Sequence, residues 1–186
     1  MSCPAHILQI YSECRDLIAI FREHRPQSIV EIGVHLGGTL CQWIEHAQPS
    51  ARILAIDVDL PLWRKYLYAS WARPRGVRLK CIEGDSRSAN VIGQVRDFSA
   101  PIDFLFIDGD HRYDPCRVDY ESYRPLMRPG GLVVFHDIVQ HPPEEDCHVH
   151  RFWNELKMTG VQYHEIIQDC GPGRQKWAGI GVVRMI

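Results

Sequence analysis

The chain has 186 residues, 45% of them apolar, with 21 basic and 23 acidic side chains and a formal net charge of −2; this suits one domain with its own core, and the scattered, balanced charge excludes nucleic acid as a partner and favours a small or neutral substrate. No run reaches the ~18 apolar residues of a membrane span, and Met1-Ser2-Cys3-Pro4-Ala5-His6 lacks the basic and apolar regions of a signal peptide, so no membrane association is expected. The seven cysteines form no C-x-x-C pair and, being odd in number, cannot all be bridged internally; they read as reduced thiols of a cytoplasmic protein.

The spacing of Ile7, Ile10, Tyr11, Cys14, Leu17, Ile18 and Phe21 predicts an amphipathic helix from about Ile7 to His24, ended by Pro26. Ser28-Ile29-Val30-Glu31 reads as a strand, followed by a glycine turn and a helix from about Gly38 to Ala47. The run Ile53 to Asp57 is a second strand. Its helix takes Asp59 as N-cap and Pro61 in the first turn, with Trp63, Tyr66, Leu67 and Trp71 on one face. Val77, Leu79 and Cys81 alternate with Arg78 and Lys80, which marks an edge strand ending at Glu83-Gly84-Asp85-Ser86.

A helix around Ser88 to Arg96 leads to the strand Phe104 to Asp108, and Asp114-Pro115 has the chemistry to open the next helix. Pro129-Gly130-Gly131 turns the chain into the strand Leu132 to Asp137. Beyond the polar loop His141 to Asp146, a short helix is expected around Arg151 to Lys157. Two β-like runs, Tyr163 to Gln168 and Ala178 to Arg184, then flank Gly171-Pro172-Gly173 as a hairpin. Trp63, Trp71, Trp153 and Trp177 read as core or helix-face packing.

Four of these apolar runs stop on an acidic residue: Glu31, Asp57, Asp108 and Asp137. Short apolar runs between helices read as buried parallel strands of an α/β fold, and ligands of such sheets bind outside the carboxyl ends of the strands. The four carboxylates are therefore expected to share one crevice. The loop Gly33-Val34-His35-Leu36-Gly37-Gly38-Thr39 stands where nucleotide-binding glycines belong. A dinucleotide fingerprint would need glycine at 33, 35 and 38, yet position 35 is His35, whose bulk disfavours a pyrophosphate and leaves S-adenosylmethionine (SAM) compatible. Asp57, closing the next strand, is placed to take ribose hydroxyls.

In these motifs, over about residues 26 to 186, the sequence resembles the class I SAM-dependent methyltransferases. The matching pieces are Val30-Glu31-Ile32-Gly33 with Gly37-Gly38-Thr39, Ala55-Ile56-Asp57, Glu83-Gly84-Asp85-Ser86, Phe106-Ile107-Asp108-Gly109-Asp110-His111, and Pro129-Gly130-Gly131. The resemblance implies a Rossmann-like, mainly parallel seven-stranded sheet in the order 3-2-1-4-5-7-6, its last strand antiparallel. The whole chain is then a single methyltransferase domain, with an N-terminal helix in residues 1–25 and the core in 26–186. It also implies cofactor contacts from Glu31, Gly33, His35, Gly37, Gly38 and Thr39 toward the methionine part. Asp57 and Val58 fall to the ribose, Asp85 and Ser86 to adenine, and Asp108 beside them.

Asp108, Asp110, His111, His136 and Asp137 gather oxygen and nitrogen donors at adjacent strand ends, a set suited to Mg²⁺, Mn²⁺ or Zn²⁺. Such an ion would bind neighbouring substrate hydroxyls and lower the pKa of the one that attacks. His111 is the first candidate for the base, with Asp110 and His136 as alternatives. Metal-free transfer with His111 or His136 as base competes with this reading. The cluster is similar to that of metal-dependent O-methyltransferases of the catechol and antibiotic-sugar types, which implies Asp108, His136 and Asp137 as ligands. His136 departs from the acidic residue usual there. Cys147-His148-Val149-His150 beside His141 reads as a substrate-side loop or ordinary surface rather than a zinc site.

The expected function is SAM-dependent O-methylation of a small molecule, such as a sugar, a catechol-like compound or a natural-product intermediate. Two other readings stand beside it: an oxygen-handling enzyme resembling cephalosporin hydroxylase, and a non-catalytic SAM-binding protein. Little sequence lies beyond the core, so the acceptor pocket is expected from the N-terminal helix, the 139–150 and 169–177 loops, or a second subunit in a homodimer.

Overall fold

The computed structural model describes residues 10–168 and 178–186. Its centre is a seven-stranded sheet of β1 (Ser28–Ile32), β2 (Arg52–Asp57), β3 (Arg78–Glu83), β4 (Ile102–Ile107), β5 (Met127–His136), β6 (Gln162–Ile166) and β7 (Ile180–Arg184), in the order β3-β2-β1-β4-β5-β7-β6. The first five strands pair in parallel, and β7 runs antiparallel to both β5 and β6. This is the expected α/β order. It follows from the sequence because β1 and β4 are apolar on both faces and buried throughout, as strands covered by helices on both sides must be.

Alternate residues of each strand feed two cores. Phe104 and Phe106 of β4 face one side, where they meet Phe21 of α1 (Tyr11–His24) and Trp43 of α2 (Gly38–His46), with ring centroids 4.9–5.5 Å apart. Leu105 and Ile107 face the other side, where Phe135 packs with Tyr120 of α5 (Tyr113–Tyr123) and with Phe152 and Trp153 of α6 (Val149–Met158). Two further helices are α3 (Leu62–Ala72) and α4 (Ala89–Ser99). Because β1, β2, β4 and β5 are parallel, their carboxyl ends all open toward the same side of the sheet.

Several local expectations are corrected. The face of α3 carrying Trp63, Tyr66 and Leu67 lies in solvent, with Trp63 60% and Tyr66 69% exposed, and the helix reaches the core through Tyr68 and Ala72 instead. Asp59 does not cap α3. The N-cap is Pro61, and the Asp59 amide donates to Asp57 Oδ1 at 2.9 Å. Likewise α5 starts at Tyr113 with Arg112 as N-cap, so Pro115 falls inside its first turn rather than opening it. Pro129-Gly130-Gly131 is not a turn before β5 but an irregular stretch within it: Ile102 pairs with Met127 and Phe104 with Leu132, and Gly130 takes φ +76° to absorb the extra residues. Ser88 caps α4 through a bond from the Val91 amide, and the helix runs three residues beyond its expected end.

Cys14, Cys81, Cys116 and Cys147 are free thiols, as expected, but Cys41 is disulfide-bonded, which corrects the reading at that position. No helix of the described residues is long and apolar enough to cross a membrane. Residues 7–9 of the first predicted helix lie outside the described residues, as do Cys3, Cys170, Trp177, the Gly171-Pro172-Gly173 loop and the 169–177 contribution to an acceptor pocket.

Candidate functional site

The parallel strand ends enclose a cavity of about 590 Å³, lined from the glycine loop at one end, past Asp57 and Ser86, to Asp108, His111, His136 and Asp137 at the other. That is within the usual range for a small-molecule site. The glycine loop is held in place by β2. Asp57 Oδ2 accepts from the backbone N–H groups of Val34 and His35, both at 2.8 Å. Gly33 and Gly37 satisfy different needs. A Cβ on Gly33, at φ +86°, would fall 2.0 Å from the Asp108 carbonyl oxygen, so this glycine lets β1 and β4 close on each other. A Cβ on Gly37, at φ +79°, would strike the Tyr68 ring at 2.6 Å. His35 itself has φ +46°, in the left-handed region that non-glycine residues seldom enter. Its carbonyl accepts from the Tyr68 hydroxyl and from Arg64, each at 3.2 Å.

In the middle of the cavity Ser86 is tied to α5. Its hydroxyl donates to Asp119 Oδ1 at 2.6 Å, and its carbonyl accepts from the Tyr123 hydroxyl at 2.8 Å. Burial pushes the Asp119 carboxyl up to about 6, against the pull of the Ser86 bond and of Arg87. Asp85 is exposed and bound by Arg87 through Nε at 2.8 Å and Nη2 at 3.2 Å. Asp110 is gripped by Arg112 at 2.9 and 2.6 Å, and these bonds hold its carboxyl below the ordinary range. Among the described residues the wall thus carries six carboxylates, Asp57, Asp85, Asp108, Asp110, Asp119 and Asp137, which outnumber the cations facing them, Arg87 with the imidazoles of His111 and His136. A pyrophosphate would meet repulsion here, whereas a sulfonium cation is electrostatically matched. The size and sign of the cavity fit SAM.

At the far end β4 and β5 place their terminal groups in contact. His136 Nδ1 lies 3.1 Å from Asp108 Oδ1 and 3.3 Å from Asp137 Oδ1. His111 bridges the two carboxylates, Nε2 standing 3.4 Å from Asp108 Oδ1 and Nδ1 3.0 Å from Asp137 Oδ2. His141 Nε2 approaches Asp137 Oδ1 from the other side at 3.2 Å, while its Nδ1 meets Glu145 at 2.7 Å. Hydrogen bonds to Asp108, Asp137 and Cys147 push the His111 imidazole up to about 12. Burial opposes charge on His136, yet Asp108 and Asp137 outweigh it and lift the imidazole to about 10. Burial also works against charge on both carboxylates, but the two imidazoles hold them below their usual range.

Charge in this cluster is therefore balanced by protons on imidazoles. His136 is nine-tenths buried, and neither ring nitrogen makes a hydrogen bond of proper geometry although carboxylate oxygens stand beside it. Asp108, His136 and Asp137 each present one ligand atom within 4.8 Å of the others. Two carboxylates around a buried imidazole form a donor set that fits a divalent ion, with the imidazole proton displaced on binding.

Of the sequence-predicted residues, Gly33, His35, Gly38, Thr39, Asp57, Val58, Asp85, Ser86, Asp108, Asp110, His111, His136 and Asp137 all line the cavity. Glu31 and Gly37 do not. Glu31 is fully buried beneath the loop with both oxygens unpartnered, and burial, reinforced by Asp108 and Asp57, raises its carboxyl well above the usual value. Sequence reasoning missed Asp119, which looks like any helix carboxylate, and Cys147. The latter places its sulfur with His111 and Asp137 in a second group of possible ligand atoms.

Comparison with known proteins agrees with the geometry. A family model described as "Methyltransferase domain" matches residues 30–138. The mycinamicin VI 2''-O-methyltransferase of Micromonospora griseorubida is 28% identical over 127 residues, covering 63% of this chain and 29% of the relative. The chain thus spans less than a third of the length of that curated relative. Among solved structures, the tomaymycin-synthesis O-methyltransferase TomG of Streptomyces achromogenes, in complex with SAM, superposes with a TM-score of 0.71 at 21% identity, over 95% of this chain and 81% of that one. The mycinamycin-pathway methyltransferase MycE, solved with Mg, SAH and mycinamycin VI, gives 0.61 at 20% identity, over 91% of this chain and 48% of the other.

Proposed function

From the premise that the chain belongs to the methyltransferase-domain family, which matches more than half of it, we propose that it methylates a hydroxyl of a small molecule with SAM as donor. The observation that carries this reading is one continuous cavity with a glycine loop at one end, a carboxylate–imidazole cluster at the other and an acidic wall between. SAM supplies an electrophilic methyl group on a sulfonium. The loop amides fixed by Asp57 and the Ser86–Asp119 pair position the two ends of that donor, and His111, in its neutral form, takes the acceptor hydroxyl's proton. Asp108, His136 and Asp137 would hold a divalent ion such as Mg²⁺ or Mn²⁺, which would supply positive charge beside the acceptor hydroxyl and offset the carboxylate charge that keeps His111 protonated.

Asp110 is a poorer base, because Arg112 keeps its carboxyl acidic. We read the chain as one methyltransferase domain acting in the cytoplasm. A second copy is proposed to complete the acceptor pocket, since Leu36 and Val58 at the cavity and Trp63 and Tyr66 of α3 are exposed; sedimentation velocity tests this. The central test is calorimetry with SAM, followed by methyl transfer from labelled SAM to sugars and catechols with and without Mg²⁺ or Mn²⁺. A folded protein that binds no SAM refutes the proposal.

The two imidazoles flanking Asp108 and Asp137 favour one alternative, an oxygen-handling enzyme with histidine–carboxylate ligation of ferrous iron. Ferrous-dependent oxygen uptake without methyl transfer would select it.

A further inference from the structure

Cys147 lies far from the strand ends in sequence, yet it reaches them. The His148 amide donates to the His111 carbonyl at 2.8 Å, which pins the start of α6 against the β4–α5 loop and brings the Cys147 side chain to His111. One nitrogen of His111, one oxygen of Asp137 and the Cys147 sulfur all lie within 4.8 Å of one another. A tetrahedral zinc-class ion needs its ligand atoms about 3.3–3.8 Å apart, given metal–ligand distances of about 2.0–2.3 Å, so side-chain rotations alone would close the set.

Asp137 divides its two oxygens. Oδ1 faces His136 and His141, and Oδ2 faces His111 at 3.0 Å. A carboxylate disposed in this way can serve two cation positions from opposite lone-pair sides. One is the oxygen-rich position on Asp108 and His136. The other has an imidazole, a thiol and a carboxylate, a donor set that prefers thiophilic ions over Mg²⁺. Cys147 and Asp137 are buried, while the His111 side chain is 38% exposed to the cavity, so three protein ligands would leave the fourth position open.

We propose that His111 Nδ1, Cys147 Sγ and Asp137 Oδ2 form a second cation site, selective for a thiophilic divalent ion such as Zn²⁺, and that filling it withdraws His111 from proton transfer. Binding releases two protons to solvent, one from the Cys147 thiol and one from His111 Nδ1, and no other covalent bond changes. The inhibitory consequence rests on the methyl-transfer reading above; the binding itself does not.

Cobalt(II) is the probe, because a thiolate ligand gives it an intense near-ultraviolet charge-transfer band that oxygen and nitrogen ligands do not produce. The expected result is such a band on titrating the whole protein without SAM or acceptor, displaced by Zn²⁺ but not by millimolar Mg²⁺. Cys147→Ser should abolish the band and weaken cobalt binding at least about tenfold. Zinc-edge X-ray absorption of the unsubstituted protein should show a sulfur neighbour at about 2.3 Å, a readout that stands even if the variant fails to fold. A bound ion without a sulfur neighbour, a band that survives Cys147→Ser, displacement by Mg²⁺, or no binding would each overturn the proposal. None of these readouts requires methyl transfer, so failure of the enzymatic reading is seen separately in the SAM calorimetry.

Discussion

Gly33 and Asp108 approach so closely that a Cβ on Gly33 would lie 2.0 Å from the Asp108 carbonyl oxygen and 2.4 Å from its carbon. The glycine that opens the loop is therefore first a joint between two strands. Gly33→Ala combines a backbone clash with a disfavoured φ and should cost about 3 kcal/mol or more, with SAM binding lost along with it. Gly76 has φ +68° but open space where a Cβ would stand, with nothing within 4 Å, so Gly76→Ala should cost only about 1–2 kcal/mol. Urea denaturation of both variants checks the contrast.

Asp119 sets a pH dependence. Its folded pKa of about 6 stands above the ordinary carboxyl value, so the fold binds this proton more tightly than the unfolded chain does. Its contribution to stability is fully present below about pH 4 and is lost as pH rises through about 6. Asp119→Asn keeps an acceptor for Ser86 and removes the buried charge. It should exceed the parent in stability at pH 7.5 by up to about 3 kcal/mol, a gap that closes below about pH 4 in denaturation curves taken across the range.

His136 decides which ion the strand ends prefer. His136→Glu supplies a third carboxylate and should raise Mg²⁺ affinity at least about tenfold. Without metal, three buried carboxylates repel one another, so the melting temperature of this variant should drop and then recover as Mg²⁺ is added. Differential scanning calorimetry with and without Mg²⁺ reads both effects.

His111 and Asp110 can be separated by kinetics. His111→Ala should lower kcat by about 10²–10⁴-fold with the SAM dissociation constant held within about twofold. Asp110→Asn, whose carboxylate is already neutralised by Arg112, should change kcat by less than about tenfold. Equal losses in the two variants would remove His111 from the role of base.

The sheet was legible because β1, β2, β4 and the second half of β5 are short apolar runs with an acidic residue at or beside the carboxyl end, and two-sided burial leaves such runs little alternative to parallel pairing. Helix α3 misled because Trp63, Tyr66 and Leu67 have core-like spacing, and periodicity says which residues share a face but not what the face meets. The Pro129-Gly130-Gly131 stretch has turn chemistry, and only its neighbour Ile102 reveals the strand pairing that runs through it. Ser86–Asp119 and His111–Cys147 are partners across more than thirty residues each. Neither pair has a local pattern; the close packing of α5 and α6 on the sheet creates them.

Trp63 is 60% exposed, with the Arg64 guanidinium 5.3 Å from its ring, and that same guanidinium donates to the His35 carbonyl. Trp43 and Trp153 are sealed in the two cores. A water-borne quencher added to the protein will thus dim Trp63 far more than those two, and any ligand that resettles the glycine loop tugs on the arginine covering its ring. The chain carries its own fluorescent gauge of the cofactor end of the cavity, readable without a label.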